Sequence, residues 1–204
     1  MSPALARART IYYGACSLDG RLATADDDLD WLIDYEAPEY QSGEPAPMSE
    51  GGGYERFYEG VGALVMGSVT YEWILGHLDV AGAEGLWPYR GKPCWVLSSR
   101  ELRLPEGAGV DVRIADAPVS ELHGEMAAAA GDGVLWVVGG GNVASQFADA
   151  GLIDELIITV VPVVLGDGKP VFERPPNASF ALLGTRAFAN GMVELHYRLV
   201  PSGG

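Results

Sequence analysis

Three consecutive glycines, Gly139 to Gly141, are the part of this sequence best suited to binding a phosphate. Five apolar residues, Val134 to Val138, run directly into them, and the residues that follow have helical spacing (Val143, Phe147 and Ala150). This pattern predicts a buried strand, a glycine turn and a helix. The first turn of a helix has unpaired N–H groups and a partial positive charge, and glycines let a ligand approach the backbone. The stretch is therefore a candidate nucleotide site.

Two other predicted strands end in residues that suit a phosphate. Ala63 to Met66 precedes Gly67, Ser68 and Thr70, and Cys94 to Leu97 precedes Ser98, Ser99 and Arg100. Ligands gather at the carboxyl ends of parallel strands. A dinucleotide offers a pyrophosphate to two helix N-termini, and sometimes a ribose phosphate to Ser and Arg side chains. The three strand ends together predict one extended cofactor.

A Rossmann fingerprint is the first alternative, because Gly139, Gly141 and Ala144 fit the pattern GxGxxA. The acidic residue expected roughly 20 positions further on would fall near Val161, where there is none. The residues after the motif are also too few for the remaining strands of that fold, so this alternative is disfavoured.

The elements that must position these residues alternate between strand and helix. The Asn190–Gly191 pair between two apolar runs predicts a closing hairpin. Pro162, inside the long apolar run Leu156 to Val164, predicts an edge strand or a bulge. The fold class is therefore a three-layer α/β domain with a mostly parallel central sheet and an antiparallel C-terminal hairpin. The other predicted elements are strands at Thr10 to Ser17 and Val110 to Ile114, and helices beginning near Trp31 and at Tyr54, Tyr71 and Val119.

Length and composition predict a single domain over residues 1–204, since 204 residues with 48% hydrophobic content suffice for one core. Residues 1–9 are expected to be a tail, without the pattern of a secretory signal. Residues 36–53, rich in Pro, Gly, Ser and Glu, are expected to form a mobile loop. The longest apolar stretch is too short to cross a bilayer. We expect a cytoplasmic protein.

The formal net charge of −15 argues against nucleic acid or an anionic membrane as a partner. An anionic cofactor would need local capture by backbone N–H groups and by the few arginines.

Cys16 and Cys94 lie in apolar runs and are expected to be buried thiols. The three histidines show no ligand spacing, so no metal is expected.

Residues 134–173, VLWVVGGGNVASQFADAGLIDELIITVVPVVLGDGKPVFE, resemble the reductase domain of riboflavin biosynthesis and dihydrofolate reductase, which shares its fold. The motifs SLDGRLA, DDDLDWL, ALVMGSVTYEWI and VLSSREL add further matches in the order that the family has them. The resemblance covers nearly the whole chain. It implies a dihydrofolate reductase-like fold with NADPH as cofactor.

The resemblance also implies a set of cofactor-binding residues and a cis peptide bond between Gly139 and Gly140. The nicotinamide carboxamide would be held by backbone groups, the phosphates by two helix starts and the ribose phosphate by a hydroxyl-rich turn with one arginine. In that order the residues are Ala15 and Leu22; Gly67, Ser68 and Thr70 with Gly139, Gly140, Gly141, Asn142 and Val143; and Ser98, Ser99 and Arg100.

On the substrate side, Asp28 matches the carboxylate that assists protonation of the substrate ring in dihydrofolate reductase, although an exposed helix N-cap is the preferred explanation of this residue. Trp31 and Thr159 would line the substrate pocket.

Ser68 stands where folate reductases carry an arginine, which leaves Arg100 as the main cation for the ribose phosphate. Lys92 replaces the arginine that grips the folate glutamate, and lysine lacks the bidentate fork for a carboxylate.

The resemblance therefore implies an NADPH-dependent reductase that transfers hydride to a pteridine-like or pyrimidine-like small molecule, of the 5-amino-6-(5-phosphoribosylamino)uracil reductase type. A non-catalytic nucleotide-binding module, a true dihydrofolate reductase and an oligomeric scaffold with a vestigial site are alternatives. A homodimer is expected, formed through the sheet edge predicted near Pro162.

Overall fold

The computed structural model describes residues 7–33, 35, 53–80, 87–188 and 190–201. One eight-stranded sheet organises them, with a two-stranded sheet beside it. In chain order the strands are β1 (Thr10–Ser17), β2 (Arg21–Ala23), β3 (Val61–Gly67), β4 (Cys94–Leu97), β5 (Val112–Ala115), β6 (Val134–Gly139), β7 (Glu155–Val161), β8 (Lys169–Pro170), β9 (Ala178–Ala187) and β10 (Val193–Pro201). The helices are α1 (Asp30–Ile33), α2 (Gly53–Glu59), α3 (Ser68–Val80), α4 (Val119–Ala130) and α5 (Gly141–Asp149).

The large sheet has the order β5-β4-β3-β6-β1-β7-β10-β9. Its first six strands are parallel, and β10 joins β7 and β9 in antiparallel pairs. The predicted fold class is confirmed: a mostly parallel sheet between helical layers, closed by a C-terminal hairpin. The small sheet pairs β2 with β8 and was not predicted, because two or three residues give no periodic signal.

The edge predicted near Pro162 was wrong. Pro162 follows the last residue of β7, and β7 lies inside the sheet between β1 and β10. A proline just beyond a strand interrupts no ladder hydrogen bond, so it carries no information about an edge. The edges of the large sheet are β5 and β9.

Alternating side chains divide the core between the two faces of the sheet. One face packs under α4 and α5 and contains Tyr12, Val137 and Phe147, all fully buried. The opposite face packs under α2 and α3 and contains Leu64, Met66 and several aromatic rings. Cys16 and Cys94 are buried free thiols, as predicted. The predicted loop 36–53 lies outside the described residues except for Gly53, which begins α2.

Gly62 marks the closest approach between β3 and α4. A Cβ atom added to Gly62 would stand 2.0 Å from the carbonyl oxygen of Ala130, the last residue of α4. Gly76, in the exposed part of α3, has no described atom within 4 Å of the same position. Gly62 is therefore required by close packing, whereas nothing around Gly76 excludes a residue with a higher helix propensity.

We predict opposite effects for alanine at these two positions. Gly62→Ala should lower the free energy of unfolding by about 2 kcal/mol or more, because the helix end must move away from β3. Gly76→Ala should raise it by up to about 1 kcal/mol through helix propensity. Urea denaturation of both variants measures the difference, and a Gly62→Ala protein as stable as the parent would contradict the packing argument.

Candidate cofactor and substrate site

The carboxyl ends of β4, β3 and β6 meet at one edge of the sheet. Leu97 pairs with Gly67, and Met66 pairs with Gly139, so the three parallel strands finish in adjacent register. Neighbouring strands lie about 4.8 Å apart. The helices α3 and α5 therefore begin at neighbouring strand ends, although they pack on opposite faces of the sheet, and the turn that starts at Ser98 follows on the outer side. The three predicted strand ends do come together.

The glycine corner after β6 is open on one side and closed on the other. Gly139 has a φ of 145°, and the Gly139–Gly140 peptide is cis, as the resemblance implied. The nearest described atom to a Cβ added at Gly139 or Gly140 is the Thr70 hydroxyl oxygen, at 3.9 and 3.8 Å. At Gly141 a Cβ would stand 2.3 Å from the carbonyl oxygen of Pro170. The partly exposed Gly140 and the buried Gly139 therefore have space beside them, whereas Gly141 packs against the small sheet.

The start of α5 fits an anionic ligand. Gly140 is its N-cap, and no side chain caps the helix. The first-turn N–H groups and the helix dipole then favour a negative group beside the open corner. Val143 packs inward, with a methyl carbon 3.2 Å from a Cβ added to Gly67. This close contact connects the start of α5 with the start of α3. The exposed Asn142 side chain instead binds Glu173, at 2.6 Å.

The predicted ribose-phosphate turn has an internal partner for its arginine. The backbone N–H of Arg100 donates to the Ser98 hydroxyl at 3.0 Å. The Arg100 guanidinium forms a bidentate pair with Glu72 of α3, at 3.1 and 2.7 Å. Both side chains are about half exposed (57% and 45%). Such a surface pair contributes little to stability, so a phosphate can compete with Glu72 for the guanidinium.

Ala15 and Leu22 lie on either side of a turn that Asp19 holds in place. The Ser17 hydroxyl donates to the Asp19 carboxylate at 2.6 Å, and the same hydroxyl accepts from the backbone N–H of Arg21 at 2.9 Å. Asp19 also accepts from the N–H groups of Leu165 and Gly166, at 3.0 and 2.9 Å. These bonds lower the pKa of Asp19 to about 2, the Ser17 hydroxyl having the largest effect.

On the expected substrate side, Thr159 pairs directly with Ala15 in the neighbouring strand. Trp31 lies in α1, and its indole N–H is buried without an acceptor among the described residues. Asp28 is exposed and accepts from the backbone N–H of Asp30 at 2.6 Å, which is helix-capping geometry. Lys92 is not near the strand tips, since its ammonium binds the carbonyl of Val61 at the start of β3.

The sequence did not point to Tyr13 or Glu194, which the structure places beside Thr159. Glu194 of β10 pairs with Thr159 of β7, next to Ala15 of β1. Burial raises the pKa of Tyr13 to about 12, and the nearby Glu194 carboxylate adds to the shift. The Tyr13 ring stacks on Phe57 of α2 at a centroid distance of 4.5 Å. Alternation along β10 could have assigned Glu194 to this face, but not to these partners.

Among the described residues, no three His, Cys, Asp or Glu side chains are grouped to hold a metal ion. Within the same parts of the chain, no helix is both long and apolar enough to cross a membrane.

Comparison with known proteins gives a consistent result. The model of the family described as "RibD C-terminal domain" matches residues 89–194. The uncharacterized protein YwjB of Bacillus subtilis (strain 168) is 34% identical over 192 residues, which cover 93% of this chain and 97% of that protein.

Two solved structures are similar along nearly their whole length. A putative riboflavin biosynthesis protein from Shewanella sp. PV-4 has a TM-score of 0.71 at 28% identity and covers 94% of this chain and 98% of its own. Dihydrofolate reductase from Enterococcus faecalis, complexed with NADP(H), has a TM-score of 0.56 at 16% identity and covers 94% and 96%. The second likeness shows the fold alone.

The Asp19 contacts generate a prediction about acid stability. A folded-state pKa below the ordinary 3.8 means that the ionised carboxylate stabilises the fold above pH 3.8, and that this stability is lost as the pH falls toward 2. Asp19→Asn should therefore be less stable than the parent at pH 7, and the difference should shrink below pH 3.8 and disappear near pH 2. Urea denaturation at a series of pH values measures this.

The matched control is Asp132→Asn, an exposed aspartate in the turn after α4. It should unfold like the parent at every pH. A constant difference between Asp19→Asn and the parent across the whole range would refute the role given to the ionised carboxylate.

Proposed function

Because the chain belongs to the RibD C-terminal domain family, we propose that it is an NADPH-dependent reductase of a flat, pteridine-like or pyrimidine-like small molecule. The observation that carries the proposal is the meeting of three strand tips around the open Gly139–Gly140 corner. An elongated ligand with several phosphates fits this edge, because two helix starts and an arginine-bearing turn follow one another along it. The reaction type follows from the family, whose members include reductases.

The residues present fit NADPH in their donor chemistry. The starts of α3 and α5, with Gly67, Ser68 and Thr70 on one side and Gly139 to Val143 on the other, would hold the pyrophosphate. Ser98, Ser99 and Arg100 would hold the adenosine ribose phosphate. Backbone groups of Ala15 and Leu22 would hold the nicotinamide carboxamide. When bound, the cofactor supplies the hydride, and the protein's part is positioning and electrostatics.

Two residues would serve the substrate directly. Thr159, beside Ala15, would contact the substrate next to the nicotinamide position, and Trp31 offers its unpaired indole N–H to a substrate acceptor.

Asp28 would act as proton source or orienter, which requires its side chain to leave the Asp30 N–H to which it is now bonded. Asp28→Asn should lower kcat with little effect on cofactor affinity if it has that role.

A homodimer remains part of the proposal, through a different surface from the one expected. The sheet edge at β9 carries the exposed side chains of Phe180, Leu182 and Leu183, which are 40%, 56% and 41% exposed. An exposed apolar edge strand is a ready template for pairing with a second copy.

The proposed function is tested by titration with NADPH, followed through nicotinamide fluorescence, and then by NADPH oxidation with dihydrofolate and an aminopyrimidine. We expect saturable binding and oxidation that depends on one of these substrates. Binding without oxidation of any candidate would favour the nucleotide-binding module. No binding, with no shift in Tm at millimolar NADPH, would refute the cofactor assignment.

The Arg100–Glu72 pair predicts a change in cofactor preference. Glu72→Gln should raise NADPH affinity about 3- to 10-fold and leave NADH affinity nearly unchanged, because it removes a carboxylate that competes with the ribose phosphate for Arg100. Dissociation constants for both nucleotides measure the effect.

The double variant Glu72→Gln/Arg100→Ala is the control for this prediction. It should lose the gain, because the effect of Glu72 acts through Arg100. A ratio of NADPH to NADH affinity that is the same in Glu72→Gln and the parent would show that Arg100 does not meet the ribose phosphate.

A further inference from the structure

A cavity of about 400 Å³ lies at the end of the sheet opposite the glycine corner. It is found where β1 and β7 begin and where β10, which runs antiparallel to β7, comes to its end. The eight residues of β1 span about 26 Å, so the length of that strand separates the two ends of the sheet. The cavity is therefore distinct from the proposed cofactor site, and the proposed reaction makes no use of it.

The charges around this cavity differ from those of the protein as a whole. Three arginines line it, Arg7, Arg9 and Arg198, in a chain that contains only 13 Lys and Arg residues and has a net charge of −15. Two carboxylates, those of Asp154 and Glu155, line it as well. Positive charges thus exceed negative charges by one at this place. An anion that the rest of the surface repels can be attracted here.

Both carboxylates are already bound by their neighbours. Arg7 donates two hydrogen bonds to Asp154, at 2.9 and 2.7 Å, one to each oxygen. One oxygen of Glu155 accepts from Arg9 at 2.9 Å, and the other lies 2.8 Å from a ring nitrogen of His196. All four carboxylate oxygens therefore have a hydrogen-bonding neighbour. The two acidic side chains are paired within the protein and do not need the third arginine.

Arg198 is the arginine of this group that has no carboxylate. It lies directly opposite Glu155 in the register of β10 and β7, where a cross-strand ion pair would be ordinary. Arg9 and His196 bind Glu155 instead, and Arg198 forms none of the ion pairs found among the described residues. A guanidinium presents its N–H donors in a planar fork that matches the two oxygens of a carboxylate. Arg198 can therefore bind a carboxylate that comes from a ligand.

The end of α5 limits the charge that such a ligand can carry. Ala148 and Gly151 line the cavity at this end, where the helix dipole is negative. Two carbonyl groups of the last turn are occupied, since the N–H of Gly151 donates to Ala148 at 3.0 Å and that of Leu152 donates to Phe147 at 2.9 Å. The dipole still opposes a second negative charge, and no further unpaired arginine lines the cavity to offset it. The site suits a monoanion better than a dianion.

The inner wall of the cavity is apolar. Ala148, Ile153 and Leu199 line it, and all three belong to the core under α4 and α5 or pack against that core. A volume of about 400 Å³ lies in the range of small-molecule pockets and is much larger than a carboxylate group alone. A ligand that fills the space therefore needs an apolar body behind its charged group.

We propose that this cavity is a binding site for a small apolar monocarboxylate, such as an aromatic or a short branched acid. Arg198 binds the carboxylate group, and Ile153 and Leu199 contact the apolar body. Asn177, which is exposed and also lines the cavity, can donate a hydrogen bond from its side-chain amide to the same group. The proposal is independent of the reductase assignment, because no residue of the proposed cofactor or substrate site lines this cavity.

Benzoate and benzamide provide the test, because they differ in charge but little in size and shape. Isothermal titration calorimetry with the full chain should show saturable binding of benzoate. Benzamide should bind at least about 10-fold more weakly, because it lacks the charge that pairs with the guanidinium. Phenyl phosphate should bind no more tightly than benzoate, since its second charge meets no additional cation.

Three variants assign the binding to Arg198. Arg198→Ala should weaken benzoate binding by about 10- to 100-fold and leave benzamide binding nearly unchanged. Arg198→Lys keeps the charge but lacks the planar fork, so its affinity for benzoate should lie between those of the parent and Arg198→Ala. The matched control is Arg56→Ala, which removes the same charge from an exposed position of α2 and should bind benzoate like the parent.

Several results would overturn the proposal. They are the absence of saturable benzoate binding at millimolar concentration, equal affinity of the parent for benzoate and benzamide, and an unchanged affinity for benzoate in Arg198→Ala. Loss of benzoate binding in the presence of NADPH would place benzoate in the cofactor site and would overturn it as well. If circular dichroism shows that Arg198→Ala does not fold, Arg198→Lys and the comparison with benzamide still decide the matter.

Discussion

The parallel register of β3 with its two neighbours is the constraint on which the rest of the molecule depends. Because Leu97 pairs with Gly67 and Gly139 pairs with Met66, the three strands finish within one residue of each other, and two helices and one turn must begin at a single edge. The close packing of Gly141 against Pro170 then fixes the small sheet over one side of the glycine corner. Beside Gly139 and Gly140, the only described atom within 4 Å of an added Cβ is the Thr70 hydroxyl oxygen. The protein carries a net charge of −15 and repels anions overall. The contact between Gly141 and Pro170 limits the approach of an anion to the other side of the glycine corner.

The two faces of the sheet differ in how polar their side chains are. The face under α4 and α5 is a dense apolar core, with Thr10 and His123 as a buried hydrogen-bonded pair inside it. On the other face, the core under α2 and α3 gives way to polar residues along β7 and β10. There the carboxylate of Glu155 pairs with Arg9 and with the His196 ring, whereas Glu194 lies between Thr159 and Arg186 in the register. The same residue type thus has different neighbours at the two ends of this face.

The sequence alone predicted the fold class, and did so for physical reasons. Runs such as Val134 to Val138 are buried on both sides and therefore give a clear strand signal, and the glycines after them mark the turn. The bounds of β1 and α4 agree with the structure to the residue. The position of Pro162 was misinterpreted because a sequence does not show on which residue a strand ends.

Contacts between distant residues could not be predicted in the same way. Arg100 and Glu72 are 28 positions apart and meet because β3 and β4 are parallel neighbours, so the start of α3 lies beside the turn after β4. Glu194 and Tyr13 are brought together only by the order of the strands, which periodicity does not encode. The three glycines look alike in sequence, yet only Gly141 is packed against a neighbouring backbone, and only Gly140 is partly exposed. The candidate site was thus predictable in its backbone and much less so in its side-chain partners.

The aromatic rings under α2 have one more consequence, which concerns observation of the protein. Trp136 lies within 6.4 Å of the rings of Tyr13, Tyr54, Phe57, Tyr58 and Tyr89, and its indole is almost entirely shielded from solvent. Its indole N–H donates to the backbone carbonyl of Tyr13 in β1. Trp136 is therefore held against β1 in an apolar environment, and it is one of five tryptophans that give the protein an intrinsic fluorescence without an attached label.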